Sequence, residues 1–535
     1  MKRTVVIRTD SAIAEIQREL HGHFLEHLGT ATYDGIWVGR NSPVPGIDGL
    51  RRDAVAALKE LSVPVLRWPG GCFADNYHWR DGVGPAQHRP RTVNHTWGGM
   101  IEDNGFGTHE FIRLCSLIGA KPYLAGNVGS GSPAELRDWV EYCNYPLGST
   151  LADERIANGA PIPFGVRYWG VGNESWACGG HQTAEEYAAL YARFATFVPT
   201  CGDTQPYLIA VGPNSNDTDW TRRFFTTLGR GRAYAPPIHG FSMHFYSWGK
   251  KRATAYTPDA VREQLASFDD FEHAVKEQRA YLDALTPPLN RGHIDLLVDE
   301  WGTWDVSDPA EEREHGRFWQ QNTIKDAVAA ALGLNLFHRQ ADKLSMCNLA
   351  QVANVLQAPL LTSGDRCVRT PTFHTFVLMR DHRNTTAVAV DSPYSPAQDL
   401  SVSASRRERT LVVTLANPDP AESKEVTLVL AGSALAGAAP AYAMSTEPAG
   451  NAGPASELAA SAARAGNAGP ASALVASTAP AGPRGWLIAH DDLNACNTFD
   501  HPDTITPRAV DVEIAHGTAT VRMPPMSVAH MRLQL

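Results

Sequence analysis

Two carboxylates in this chain stand at the ends of runs that should be buried. Glu174 closes Val166-Arg-Tyr-Trp-Gly-Val-Gly-Asn-Glu174, and Glu300 closes Ile294-Asp-Leu-Leu-Val-Asp-Glu300. Each run reads as a strand, and each is followed by a turn holding tryptophan: Trp176 in one case, Trp301 and Trp304 in the other. An ionised acid at such a position must meet a cavity, water or a partner, because leaving it buried and unpaired is strongly unfavourable. Two acids that face one Trp-lined pocket can cleave an acetal. One protonates the leaving oxygen while the other meets the oxocarbenium-like centre that develops at the anomeric carbon.

The surrounding pattern supplies the scaffold. Strand-like runs at 20–25, 64–68, 122–126, 166–171, 207–211, 241–245, 294–298 and 343–348 alternate with helical stretches. The helical stretches are 50–61, 108–118, 184–197, 258–285 and 316–337, and Thr183 with Glu186 makes a capping box before one of them. Eight such units predict an α/β fold, a (β/α)8 TIM barrel over 16–370. A doubly wound open sheet is the rival, but no GxGxxG follows an early strand. The strand ends collect polar residues: Glu26, Arg67 and Cys72, Asn127, Asn173 and Glu174, Asn214, His244 and Tyr246, Glu300, then Asn348 and Gln351. Polar groups at the carboxyl ends of barrel strands read as catalytic apparatus. The fourth and seventh ends face each other across a barrel mouth, which puts Glu174 and Glu300 about 5 Å apart, the spacing for retention of configuration. Glu174 is then the acid/base and Glu300 the nucleophile. Asn173 is suited to grip the hydroxyl beside the anomeric carbon, Tyr246 to hydrogen-bond Glu300, and His244 to contact Glu174. Strand alternation points Asp299 to the opposite face, in a packing or hydrogen-bonding role.

Beyond about 370 the pattern changes to alternating segments at 410–416, 425–430 and 518–523, which predict an antiparallel β-sandwich. A strand at 4–7 joins it, giving an all-β, jelly-roll-like domain of 1–15 and 371–535. Within it, 432–485 is a low-complexity insert rich in Ala, Gly, Pro and Ser, with Ala-Gly-Asn-Ala-Gly-Pro-Ala-Ser at 449–456 repeated at 465–472. Such a stretch buries too little apolar surface to offset its ordering entropy and predicts a flexible surface loop.

The 535 residues carry a formal net charge of −10, which gives no electrostatic case for nucleic acid or an anionic membrane. The amino terminus reads as a strand and not as a secretion signal, and no apolar run is long enough to span a bilayer. Eight scattered cysteines without CxxC spacing therefore read as reduced thiols of a cytoplasmic protein. Cys72 and Cys178 lie beside site motifs and can pair if oxidised. His21, His23 and His27 suggest a metal hydrolase as an alternative, but that reading needs a Lys at the fourth strand end and an Asp at the eighth. The chain has Glu174 and Gln351 there, so the histidines read as structural and no metal is expected.

The whole chain resembles the α-L-arabinofuranosidases of glycoside hydrolase family 51. The resemblance lies in Gly22-His-Phe-Leu-Glu-His-Leu-Gly29, Arg67-Trp-Pro-Gly-Gly-Cys-Phe-Ala-Asp75 and His78-Trp-Arg-Asp-Gly-Val-Gly-Pro85. It continues in Gly172-Asn-Glu-Ser-Trp176, His244-Phe-Tyr246, Asp299-Glu-Trp-Gly-Thr-Trp304, Asn348-Leu-Ala-Gln351 and Asn494-Ala-Cys-Asn-Thr-Phe499. It implies a retaining, exo-acting enzyme that releases terminal, non-reducing arabinofuranosyl groups from arabinan- or arabinoxylan-derived oligosaccharides. Glu26, Cys72, Asn173, Tyr246 and Gln351 become contacts to the arabinose hydroxyls, with Trp97 and Trp304 as aromatic walls near the aglycone. It also implies a homo-hexamer with no metal or organic cofactor. Cys496, where relatives tend to carry histidine, and the Ala/Gly insert depart from the family pattern. Two rivals stay open: an endo-acting glucanase on the same scaffold, and a non-catalytic carbohydrate-binding barrel.

Overall fold

Eight parallel strands close into a barrel in the computed structural model: Gly22–Phe24, Val65–Trp68, Lys121–Gly126, Tyr168–Val171, Tyr207–Ala210, Gly240–Trp248, Asp295–Trp304 and Leu344–Ala350. The structure describes residues 1–231, 234–286, 293–432, 437–438 (backbone only), 485–515 and 517–535. The expected insert at 432–485 thus lies, except for residues 432, 437–438 and 485, outside the described residues. All eight expected barrel strands are present. The sixth and seventh run further toward the mouth than their apolar patterns suggest, because pairing continues from Phe245↔Trp301 to Trp248↔Trp304.

Five expected helices form as Arg52–Leu61, Thr108–Ile118, Ala184–Phe197, Pro258–Leu285 and Ile324–Arg339. The last begins later than expected. Gly316 at φ +102° and Phe318 at φ +57° cannot be α-helical, and the Thr323–Asp326 capping box starts the helix at 324. Pro133–Asn144, Thr150–Ala157, Thr218–Gly229, Pro309–His315 and Pro371–Met379 are further helices that the pattern reading did not identify. Each is capped by the side chain just before it: Ser132, Ser149, Asp217, Asp308 and Thr370.

One local irregularity decides where the site forms. The sixth and seventh strands pair Met243 with Val298 and then His244 with Glu300, so Asp299 is an extra residue in a bulge. The alternation argument for Asp299 therefore fails. Asp299 Oδ2 accepts a hydrogen bond from Tyr123 Oη at 2.8 Å, and Tyr123 belongs to the inner cluster of Val65, Ile209, Leu297 and Met346. Asp299 and Glu300 both serve the barrel interior, and Trp301 turns outward against Phe337 and Phe376.

The second β-domain is one continuous path of strands. Its order is Arg508–Val510, Gly485–Ala489, Ser527–Gln534, Thr410–Asn417, Ser401–Arg407, Thr386–Asp391, Lys2–Glu15, Lys424–Ala431, Thr518–Met523 and Glu513–Ala515. Every pair is antiparallel except Lys2–Glu15 with Lys424–Ala431. The first strand outruns the expected 4–7 because register shifts after Arg8 and Ala12 bend it along Thr386–Asp391. Val5, Val402, Val413, Val426, Val521 and Met531 share one core, so the sheet wraps round its own interior. Helix Ile324–Arg339, buried along nearly its whole length, lies between barrel and sheet. Its Asn335 donates to Ser401 Oγ at 3.1 Å and accepts from Ser403 Oγ at 2.6 Å.

Candidate active site

The bulge at Asp299 turns Glu300 into the barrel mouth, where it is 6% exposed. Arg67, from the second strand, donates from Nη1 to Glu300 Oε1 at 2.8 Å and from Nη2 to Asn173 Oδ1 at 2.7 Å. A planar guanidinium suits this position because its fork sends two N–H groups to two acceptors at once. Tyr246 donates its phenolic O–H to Glu300 Oε2 at 2.7 Å. Burial pushes the Glu300 carboxyl up, but the charges of His244 and Arg67 and the hydrogen bonds from Arg67 and Tyr246 outweigh it. The carboxyl is held below its ordinary range.

Glu174 arrives from the fourth strand through a tight reversal. Gly172 at φ +90° opens it, and Glu174 itself sits at φ +33°, a left-handed backbone that costs a residue with a Cβ about 1–3 kcal/mol. The chain folds back on the Glu174 carbonyl, which accepts N–H groups from Ala177 at 2.7 Å and Gly179 at 3.1 Å. His244 and Tyr246 share a face of the sixth strand. His244 Nδ1 lies 2.8 Å from Glu174 Oε1 and 3.6 Å from Glu300 Oε2. One ligand atom each from Glu174, His244 and Glu300 lie within 4.8 Å of one another. Burial disfavours a charged His244, but the two carboxylates outweigh it and raise its basicity. Carboxylates this close suit covalent trapping of a glycosyl group and leave no room for the water that an inverting enzyme places between them.

The pairing left open for Cys72 and Cys178 is made. Cys72 and Cys178, with Cα atoms 5.4 Å apart, are joined in a disulfide, while the other six are free thiols. Their sulfurs lie 3.7 and 3.6 Å from Glu174 Oε2. A bridged Cys72 has no thiol proton, so it presents a polarisable wall to the pocket and cannot act as a donor.

The opposite wall is built on Glu26. Its Oε1 accepts the backbone N–H of Gly71 at 3.1 Å and Phe73 at 3.0 Å, and the indole N–H of Trp97 at 2.9 Å. Gln351 holds its other side, donating to Oε2 at 3.1 Å and accepting the Glu26 backbone N–H at 2.9 Å. Burial, then repulsion from Glu300, pushes the Glu26 carboxyl up to about 7. Trp97 lies on the turn between Thr92–Asn94 and Met100–Glu102. Trp304 packs on Tyr246 and Trp248 with ring centroids 5.1 and 4.8 Å away, and Phe318 bridges Trp304 to Trp97 at 5.2 and 5.7 Å.

Three of the polar strand ends belong to the scaffold. Asn127 Oδ1 accepts the N–H groups of Ser130 and Gly131, Asn214 pairs through its backbone with His244, and Asn348 is packed inside the barrel beside Gly22. The histidines near the first strand go to separate partners. His21 meets His338, and His27 lies between Glu102 and the Trp68 indole N–H. The sequence reading missed the bridging role of Arg67, and it missed Phe318 and Trp248 in the aromatic wall. The run His244-Phe-Tyr-Ser-Trp248 carried the signal for the last, since residues 244, 246 and 248 share one strand face.

Family models described as the α-L-arabinofuranosidase 1 domain and the α-L-arabinofuranosidase C-terminal domain match residues 57–262 and 299–527. An intracellular exo-α-L-arabinofuranosidase of Bacteroides ovatus is 36% identical over 546 residues, spanning 99% of this chain and 95% of that protein. An intracellular exo-α-(1→5)-L-arabinofuranosidase of Acetivibrio thermocellus is 32% identical over 70% of this chain and 75% of its own length. Among solved structures, the GH51 arabinofuranosidase from Xanthomonas axonopodis pv. citri matches with a TM-score of 0.85 at 34% identity, covering both chains fully. The Thermotoga maritima α-L-arabinofuranosidase in its arabinose complex matches at 0.81 with 26% identity, again over both whole chains. With two carboxylates closely set at the fourth and seventh strand ends of a barrel, and relatives alike from end to end, the chain belongs to the α-L-arabinofuranosidases of glycoside hydrolase family 51.

Proposed function

We propose that this protein is a retaining, exo-acting α-L-arabinofuranosidase that removes terminal, non-reducing arabinofuranosyl groups by double displacement. The observation that carries the reading is the cluster of Glu174, His244 and Glu300 within 4.8 Å at the barrel mouth. Glu300 attacks the anomeric carbon as Glu174 gives its proton to the departing glycosidic oxygen. An arabinosyl ester on Glu300 results, and Glu174, now ionised, takes a proton from the water that hydrolyses it. Arg67 and Tyr246 aim the Glu300 oxygens. Asn173, Tyr246, His244, Glu26 and Gln351 offer polar groups to the arabinose hydroxyls. Cys72 contributes its sulfur as wall, and Trp97 and Trp304 flank the path of the leaving group.

The substrate class is short arabino-oligosaccharides derived from arabinan or arabinoxylan, in keeping with the exo-α-(1→5) activity in the name of the Acetivibrio thermocellus relative. A cytoplasmic location is in keeping with the relatives named intracellular, and no described helix is long and apolar enough to cross a membrane. A homo-hexamer is the assembly the family resemblance implies, and light scattering tests it. For the reaction, Glu174→Ala and Glu300→Ala should both abolish release of arabinose from arabinobiose. Azide should restore turnover of 4-nitrophenyl α-L-arabinofuranoside by Glu174→Ala alone. Full activity in either variant, or faster cleavage of soluble β-glucan than of the arabinofuranoside, overturns the reading.

A further inference from the structure

One buried carboxylate beside the site is hydrogen-bonded to neither Glu174 nor Glu300 and yet is tied to the loop that carries one of them. Asp75, 3% exposed, sits in the short turn Ala74–Asn76 on the loop after the second strand. Its Oδ1 accepts the backbone N–H groups of Val128 at 2.9 Å and Gly129 at 2.8 Å, just past the third strand. Its Oδ2 accepts the backbone N–H of Asn173 at 3.1 Å, past the fourth. One side chain thus ties three consecutive strand-end loops together, and the last tie falls on the residue before Glu174.

The local packing leaves no slack around this tie. A Cβ on Gly129 would stand 2.8 Å from Asp75 Cβ, and one on Gly179 would stand 2.9 Å from Asp75 Oδ2 and 1.9 Å from the Asn173 carbonyl oxygen. The loop carrying Glu174 is therefore folded directly onto Asp75. The Cys72–Cys178 bridge joins the same two loops on the other side of Glu174. A left-handed backbone at a residue with a Cβ persists only where its surroundings over-determine it, and these two ties flank the strained position.

We propose that Asp75 is a positioning residue for the acid/base: by fixing the Asn173 N–H it holds the Glu174 carboxyl against His244 and at the leaving-group oxygen. The proposal rests on the assignment of Glu174 as acid/base. A carboxylate whose work is general scaffolding would slow every substrate alike when altered. One that acts through Glu174 must matter most where protonation of the leaving group matters most.

The test is Asp75→Asn, whose amide has only one accepting oxygen, so one of the two sides of the tie is lost whichever way it turns. Initial rates are compared on arabinobiose, whose sugar leaving group needs the acid, and on 2,4-dinitrophenyl α-L-arabinofuranoside, which leaves without it. The expected loss in kcat/KM is about tenfold or more larger on arabinobiose. In a Glu174→Ala background the same change should cost less than about twofold, because residues acting as a unit are not additive. Equal losses on the two substrates, or an undiminished loss in the Glu174→Ala background, overturns the proposal. If Asp75→Asn does not accumulate as folded protein, Asp75→Ser, which keeps one acceptor, takes its place under the same criteria. Glu174→Ala by itself separates the two levels. If it lacks leaving-group dependence and azide rescue, the acid/base assignment falls, and if it shows both while Asp75→Asn shows no leaving-group dependence, only the role of Asp75 falls.

Discussion

Glu300 owes its low-lying ionisation to three neighbours working against burial, and each can be removed in turn. Tyr246→Phe keeps the ring against Trp304 and deletes the 2.7 Å hydrogen bond to Oε2. A hydrogen bond to a charged group contributes about 1.5–3 kcal/mol, so kcat/KM should fall roughly ten- to hundredfold. The sign of the pH effect follows from what is lost. The bond stabilises the ionised form, so without it the Glu300 carboxyl rises and the acid limb of the kcat/KM profile moves to higher pH. A pH–rate profile whose acid limb stays in place would show that Tyr246 contributes contact to substrate and nothing to Glu300. The convergence of Glu174, Glu300, His244 and Tyr246 on one barrel mouth was legible in the chain because strand alternation and an acid at an apolar run's end are local signals. The state of Cys72 was not. Whether its sulfur meets Cys178 depends on a Cα separation of 5.4 Å between loops 106 residues apart, which no local pattern encodes. Asp75 was hidden for a related reason: its partners are backbone N–H groups, which every residue but proline has.

The strands and longer helices were readable from periodicity, and the shorter helices were readable only from their caps. Ser132, Ser149, Asp217, Asp308 and Thr370 each announce a helix too short for its apolar pattern to stand out. Asp299 shows the limit of the period-two rule: one extra residue in the seventh strand puts consecutive acids on the same side, and nothing in the local composition marks the insertion. The far end of that strand depends on a buried charge cluster. Lys325, wholly buried at the start of helix Ile324–Arg339, sits 3.1 Å from Asp305 and 2.8 Å from Asp326. Asp305 follows Trp304 directly and also accepts from Tyr256 at 2.7 Å and Gln264 at 2.9 Å. Removing the ammonium leaves two buried carboxylates facing each other, so Lys325→Met should lose about 3–5 kcal/mol of stability. Denaturant unfolding measures this. Lys325→Met with Asp305→Asn should recover part of the loss, and no recovery would mean that Lys325 acts through packing alone. KM for oligosaccharides should rise more than KM for a small aryl arabinoside, since the perturbed element carries the Trp304 wall.

Barrel and sheet meet across a seam of buried histidines, and that seam sets how the assembled chain responds to acid. His21 and His338 face each other at 2.9 Å, and His338 reaches Ser403 at 3.2 Å. His382 lies between Ser405 at 2.8 Å and Thr414 at 2.9 Å, and Thr414 passes on to His530, which meets Asp381 at 2.9 Å. His23 packs on Phe376 with ring centroids 4.8 Å apart, and Arg383 adds positive charge near His21 and His23. Burial, reinforced by that charge, drives His23 down to about 3; burial and the charges of Arg339 and Arg383 take His338 to about 3 as well. His21 and His382 are also held well below the usual histidine range, first by burial. In the unfolded chain these rings bind protons near pH 6.5, and in the native seam they stay neutral well below it. Above 6.5 the two states hold the same number of protons and the histidines contribute no pH dependence. As pH falls below 6.5 the unfolded state gains protons that the folded state refuses, so stability drops by about 1.4 kcal/mol per pH unit for each ring. Four rings together give a loss on the order of 5 kcal/mol per unit, continuing toward pH 3. Denaturant midpoints between pH 7.5 and 5 should therefore be flat down to about 6.5 and then fall steeply. His23→Leu removes one proton from the balance while keeping an apolar contact to Phe376, so it should change little at pH 7.5 and gain about 2 kcal/mol over the unaltered chain at pH 5. A variant that tracks the unaltered protein at both pH values would place the acid response outside this seam, among the carboxylates that the native state pairs, such as Asp381 and Glu272.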